Sequence, residues 1–266
     1  MDTTNLKVRK IGAINWVGLW TLFMRETLRF LNVWSQTLLG PVVSTLLFVL
    51  IFTLALGSEG RQVMGMPYIA FLLPGLMTMV MIQNAFANTS SSIMIGKIQG
   101  NISDILLAPL NAAELTAGFV ASAVMRGLAC GFIVWVCSLP FTKQMPDSWT
   151  LVLLFSLNAT IMLGLLGCLA GIWAQKFDQM AAVTNFVITP LSFLSGTFYP
   201  VSSLPESWIW LAMLNPFFHL INGVRTGFLG ISEGPVLLGL MYVTLINFAL
   251  ALLVWRMFHT GYKLKS

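Results

Sequence analysis

Charge is what this chain has least of. Its 266 residues include 14 Lys and Arg, 9 Asp and Glu and 2 His, so charged side chains make up only 9%. A soluble domain carries about 25%. Too few charges are present to coat a water-exposed particle of this size, which excludes a soluble enzyme built around one core. Hydrophobic residues at 57% and a mean hydropathy of +0.85 exclude a disordered chain, and Gly and Pro follow no collagen-like period. The class left is an all-α polytopic membrane protein.

Other scarcities narrow the chemistry. The three cysteines, Cys130, Cys137 and Cys168, form no CxxC pair and fall within apolar stretches, so they read as small packing residues. His219 and His259 stand far apart and neither belongs to a metal-binding motif. Gly96-Lys97 is the nearest approach to a phosphate-binding loop, but Ile98 follows where Ser or Thr is needed and the upstream Gly is missing. The apolar stretch after Lys10 is interrupted at Arg25-Glu26 with no small-residue cleavage site behind it, so residues 1–28 do not read as a signal peptide.

The charge-free intervals locate the spans. A helix needs about 20 apolar residues to cross the hydrocarbon core, and six intervals suffice: roughly 33–56, 69–94, 116–139, 149–173, 181–199 and 236–256. Runs such as Leu46–Phe52 do not alternate, which excludes barrel strands. Six spans place both termini on one side. That side holds Lys7, Arg9, Lys10, Arg25, Arg29, Lys97, Lys176, Arg256, Lys263 and Lys265; the other holds Arg61, Lys143 and Arg225. By the positive-inside rule both termini are cytoplasmic. The net charge of +5 has the same origin, since the basic residues are spread over loop ends and form no cluster for nucleic acid. The chain divides into a cytoplasmic N-terminus (1–32), one six-helix transmembrane domain (33–256) and a cytoplasmic tail (257–266).

Three segments between spans carry pattern. In 14–32, Trp16, Trp20, Phe23, Met24, Thr27 and Leu31 recur at helical spacing opposite Arg25, Glu26, Arg29 and Asn32. This predicts an amphipathic helix lying along the membrane surface, either a plain anchor or a docking surface. The cytoplasmic loop 95–115 holds a short helix with Ile98, Ile102, Ile105 and Leu106 on one face; Lys97, Gln99, Asn101, Ser103 and Asp104 are polar, and Pro109 stops it. In 200–235, Pro200, Pro205, Pro216 and Pro235 break the chain, and Asn215-Pro216 splits an apolar run. Two half-helices that dip in and return are predicted, with an interfacial cap anchored by Trp208 and Trp210 as the alternative.

Within the spans there is no Asp or Glu. Ion-coupled carriers keep intramembrane carboxylates, so a secondary transporter is a weaker reading. So is a lipid-modifying intramembrane enzyme, because Asp104, Glu114 and Asp178 share the cytoplasmic side but sit in separate loops. Arg126 is the one charge well inside a span; a structural or lipid-binding role is favoured over substrate contact. Gln83, Asn84 and Asn88 form a polar stripe that serves helix packing or lines a substrate path, and Gly127-x-x-x-Gly131 and Gly167-x-x-x-Gly171 permit close helix contact. A membrane bundle with cytoplasmic docking elements and no energy source of its own points to a transport subunit driven by a separate ATPase.

From about Trp20 onward the chain resembles the permease subunits of ABC-2 type exporters, in their short bacterial inner-membrane form. Asn101-Ile-Ser-Asp-Ile-Leu-Leu-Ala-Pro-Leu is similar to the family's coupling segment, Pro190-Leu-Ser-Phe-Leu-Ser-Gly-Thr-Phe-Tyr-Pro to the fifth span leading into its re-entrant region, and Leu214-Asn-Pro-Phe-Phe-His-Leu-Ile-Asn-Gly-Val-Arg to its Asn-Pro segment. The resemblance implies a half-transporter that pairs with a second copy in the lipid bilayer. Each copy would sit on an ATPase subunit, which binds the ATP and magnesium; this chain itself would bind no cofactor. Lys97, Gln99, Asn101, Ile102, Ser103, Asp104 and Leu106, with Arg25, Glu26 and Arg29, would couple to that ATPase. Pro200, Pro205, Asn215, Pro216 and Arg225 would form the outer gate. Family substrates are glycans, lipids or drugs.

Overall fold

The computed structural model describes residues 12–56 and 62–264. Lys7, Arg9, Lys10, Arg61 and Lys265, used above to orient the spans, lie outside the described residues. The chain is an all-α membrane protein: α1 (Trp16–Leu31), α2 (Gly40–Leu56), α3 (Tyr68–Ile98), α4 (Ile102–Leu107), α5 (Ala112–Thr142), α6 (Trp149–Trp173), α7 (Phe177–Val183), α8 (Thr189–Leu194), α9 (Glu206–Leu214), α10 (Pro216–Leu229) and α11 (Val236–Thr260). A two-residue hairpin, β1 (Gln62–Val63) with β2 (Met66–Pro67), precedes α3.

Among the described residues, five helical segments are long and apolar enough to cross a bilayer: Ser35–Phe52, α3, α5, α6 and α11. The segment expected at 181–199 is shifted toward the N-terminus. It is helical from Phe177 to Leu194, through α7, a π-turn at Thr184–Ile188, and α8. Asp178 sits in its first turn, where a carboxylate meets unpaired backbone N–H groups. It ends because Gly196 takes φ +75°, a left-handed conformation that turns the chain out of the helix.

α3 is the most buried span and packs chiefly on α6 and α5. Close packing depends on the small residues noted above. A side chain at Gly167 would collide with Thr89 and Phe86 of α3, and one at Gly127 would come within 2.9 Å of the Met81 carbonyl. The polar stripe of α3 is spent partly on this packing: Thr89 Oγ1 donates to the Gly164 carbonyl at 2.8 Å and Asn88 Nδ2 to Ser122 Oγ at 2.8 Å. α10 is buried against α6, α3 and α11, whereas α2 and α11 leave most of their apolar surface uncovered.

Candidate functional site

At the end of the bundle that carries α1, the loop between α3 and α5 forms a shelf. α3 ends at Ile98, Gly100 (φ +76°) turns the chain, and the six-residue α4 ends where Ala108 becomes extended ahead of Pro109. Ile102 and Ile105 are buried with Leu22 of α1, Ile93, Phe119, Ile172 and Phe258, so α4 is seated on the bundle by its apolar face. Gln99, Asn101, Ser103 and Asp104 are exposed, and Leu106 packs at the edge of the cluster. Ile98, expected on the apolar face, is exposed instead, because it closes α3 before the chain turns.

α1 lies beside this shelf, with Trp16 and Trp20 exposed along its outer side. Between α1 and α4 is a cleft of about 760 Å³ lined by Arg25 and Thr21 on one wall and Asn101, Asp104 and Ile105 on the other. Arg25 and Asp104 thus offer opposite charges to the same opening. Glu114 fixes the geometry of this cleft. Its Oε2 accepts from the Asn111 backbone N–H (2.8 Å), Asn111 Oδ1 accepts from the Glu114 N–H (2.8 Å), and its Oε1 accepts from the Asn15 backbone N–H at 2.7 Å. One carboxylate therefore caps α5 and anchors the start of α1. The Asn-x-x-Glu spacing at Asn111 is the sequence signal that announces such a capping box.

Three residues expected on the coupling surface are turned inward. Glu26 has no exposed surface and pairs with Arg29 at 3.1 Å. Arg29 donates to the Asn88 carbonyl (2.7 Å), to Asn88 Oδ1 (3.1 Å) and to Ser91 Oγ (3.3 Å), so the pair locks α1 onto α3. Lys97 Nζ donates to the carbonyls of Ile172 (2.8 Å) and Ala174 (2.5 Å), where a cation satisfies the unpaired end of α6. The reason is common to all three: polar groups at the rim of an apolar bundle bond to the helix ends beside them. Of the residues expected to couple, Arg25, Gln99, Asn101, Ser103 and Asp104 are exposed.

Gln83 and Asn84 line a second cavity of about 300 Å³, with Pro41, Ser44, Thr45 and Phe48 of α2, and with Phe193 and Phe198. Asn88, the third member of the stripe, is buried among its bonds to Arg29 and Ser122 and does not reach this cavity.

On the far side, α9 and α10 are two helices meeting at Asn215. Asn215 Oδ1 caps the Phe217 N–H at 3.1 Å, and its Nδ2 holds the Leu191 carbonyl (2.8 Å) and Ser195 Oγ (2.7 Å). Pro216 occupies the first position of α10, where its missing N–H costs nothing. α9 exposes Trp208 and Trp210, while α10 is enclosed by the bundle. Pro200 opens the turn Val201–Ser203, and Pro205 opens α9. Arg225, counted above as a loop cation, lies inside α10 and is 2% exposed. It donates to Glu233 Oε1 (3.0 Å) and the Gly196 carbonyl (2.6 Å), and its guanidinium lies 3.9 Å from the centre of the Phe71 ring.

Known sequences place these elements. A sequence model described as ABC-2 type transporter matches residues 17–229, from α1 to the end of α10. The chain is 37% identical over 251 residues to the inner membrane transport permease YadH of Escherichia coli (strain K12), covering 94% of this chain and 98% of that protein. It is 27% identical over 226 residues to nodulation protein J of Rhizobium leguminosarum bv. viciae, covering 82% of this chain and 84% of that protein. Nodulation protein J of Rhizobium meliloti (strain 1021) is 26% identical over 223 residues.

Proposed function

Because the chain belongs to the ABC-2 type transporter family, we propose that it is the membrane-spanning half of an ATP-driven exporter, moving a lipid, glycan or drug-like substrate out of the cytoplasm. It works in the bacterial inner membrane with both termini cytoplasmic, and the helical segment Phe177–Leu194 serves as the sixth crossing. Hydrolysis belongs to a separate ATPase subunit that brings ATP and magnesium, and a second copy of this chain completes the path among the membrane lipids.

The observation that carries this reading is the shelf. α4 spends its isoleucines on the bundle and keeps Asn101, Ser103 and Asp104 outside, next to a charged cleft closed on its other wall by α1. A helix seated this way transmits a push from below into α3 and α5, between which it lies in sequence, and near-rigid helices carry such a push across the membrane. Asp104→Lys is expected to insert normally, yet to lose capture of the ATPase when the tagged chain is purified from its native membrane in mild detergent. Wild-type chain is expected to bring down ATP hydrolysis. Wild-type chain that recovers no ATPase and transports alone after reconstitution would overturn the reading.

A further inference from the structure

Among the described residues two arginines are buried, and they are compensated differently. Arg225 has a carboxylate, a carbonyl and an aromatic face. Arg126 is 8% exposed, lies in the middle of α5, and makes one hydrogen bond, from Nη2 to Asn84 Oδ1 at 3.0 Å. Its Nε is buried with no partner among the described residues. The acid of the neighbouring network, Glu26, is committed through Oε2 to Arg29, so those two charges cancel and Arg126 remains as an excess cation. A guanidinium at membrane depth without an anion is costly, and five N–H donors in a planar fork suit an oxyanion.

Asn84 links this cation to open space. The side chain that holds Arg126 also lines the cavity between α2, α3 and the turn at Phe198. That cavity pairs the polar groups of Ser44, Thr45 and Gln83 with the apolar walls of Phe48, Phe193 and Phe198. We propose that the missing partner of Arg126 is the anionic headgroup, phosphate or carboxylate, of an amphiphile that enters this cavity, so that the exporter's substrate class is an anionic amphiphile. The headgroup displaces Asn84 Oδ1 from the guanidinium while the apolar part lies against the phenylalanines. A free inorganic anion would shed its water at the same depth without any apolar burial to offset the loss.

Calling the occupant a substrate rests on the exporter reading; the binding site does not. The test uses the full chain in neutral detergent, without ATPase, titrated with dioleoyl phosphatidic acid and with dioleoylglycerol and followed by native mass spectrometry and thermal unfolding. Phosphatidic acid is expected to bind at least tenfold more tightly and to raise the unfolding midpoint. Arg126→Gln is expected to erase the preference, and Arg126→Lys, which keeps the charge, to retain part of it. Equal binding of the two lipids to the wild-type chain overturns the proposal whatever the variants do, as does a preference that survives Arg126→Gln. Protection by inorganic phosphate equal to that by phosphatidic acid overturns the amphiphile as its source. Failure to recover an ATPase leaves the anion site standing, and failure of the lipid titration leaves the exporter standing.

Discussion

At the scale of single residues, the few charges of this chain are structural parts before they are anything else. Glu26 and Arg29 bind α1 to α3, Lys97 closes the end of α6, Glu114 sets the entry of α1, and Arg225 ties α10 to the loop before α11 through Glu233. The Arg225–Glu233 pair is 2% and 4% exposed at its side chains, so neither charge has water to fall back on. Breaking such a pair from one side costs about 3–5 kcal/mol, because it strands a buried charge. Glu233→Gln is therefore expected to lower the unfolding midpoint in detergent sharply. Replacing both members with apolar residues, Arg225→Met with Glu233→Met, is expected to restore most of the loss. A double variant as unstable as the single one would show that the Gly196 carbonyl and the Phe71 ring matter more than the ion pair.

At the scale of elements, two π-turns each precede a proline. Ser35–Leu39 ends two residues before Pro41, and Thr184–Ile188 ends two residues before Pro190. A proline ring collides with the carbonyl four residues back and offers no N–H to it. Widening the preceding turn relieves both faults, and π-turns of this kind recur at functional sites. Pro74 and Pro140 sit in α3 and α5 without such widening, so proline alone does not dictate it. Pro41 and Phe193, one beside each widened turn, border the cavity that Asn84 lines. Pro190→Ala is expected to return the turn to α geometry, gaining a hydrogen bond worth about 1 kcal/mol while re-aiming Phe193. The unfolding midpoint should hold or rise, and phosphatidic acid binding should weaken; a fall in the midpoint would make the π-turn a packing requirement instead. None of this was legible in the sequence, where Pro190 opens a family-like stretch but gives no signal of a widened turn before it. The spans were legible, because charge-free length is a local property: α6 begins and ends at the expected residues 149 and 173. The inward turn of Glu26, Arg29 and Lys97 was not, because it depends on which helix end lies across the contact. The same holds for Arg126, whose partner Asn84 is brought to it by the packing of α3 on α5.

At the scale of the whole molecule, the spans divide into a core and two open faces. α3 and α6 form the core, while α2 on one side and α11 on the other keep most of their surface uncovered. The two faces differ in kind. α11 presents Leu237, Leu238, Met241, Leu245, Phe248 and Leu252, which suit lipid chains. The face around α2 carries apolar Leu47 and Ile51, but it also opens the cavity that holds Ser44, Thr45, Gln83 and Asn84. Ser44, Thr45 and Asn84 bond within the chain, but the Gln83 amide has no hydrogen-bond partner among the described residues, and polar side chains at membrane depth turn toward protein or a water-filled space. The second copy is therefore expected against α2, with the cavity at the seam, and lipid against α11. A chain freed of cysteine by Cys130→Ala, Cys137→Ala and Cys168→Ala separates the two faces. In native membranes, Ser44→Cys should form a cross-linked dimer with a short bis-maleimide, whereas Leu245→Cys should remain monomeric on gels. The opposite pattern would move the seam to α11 and turn the Asn84 cavity, with the Gln83 amide, toward lipid.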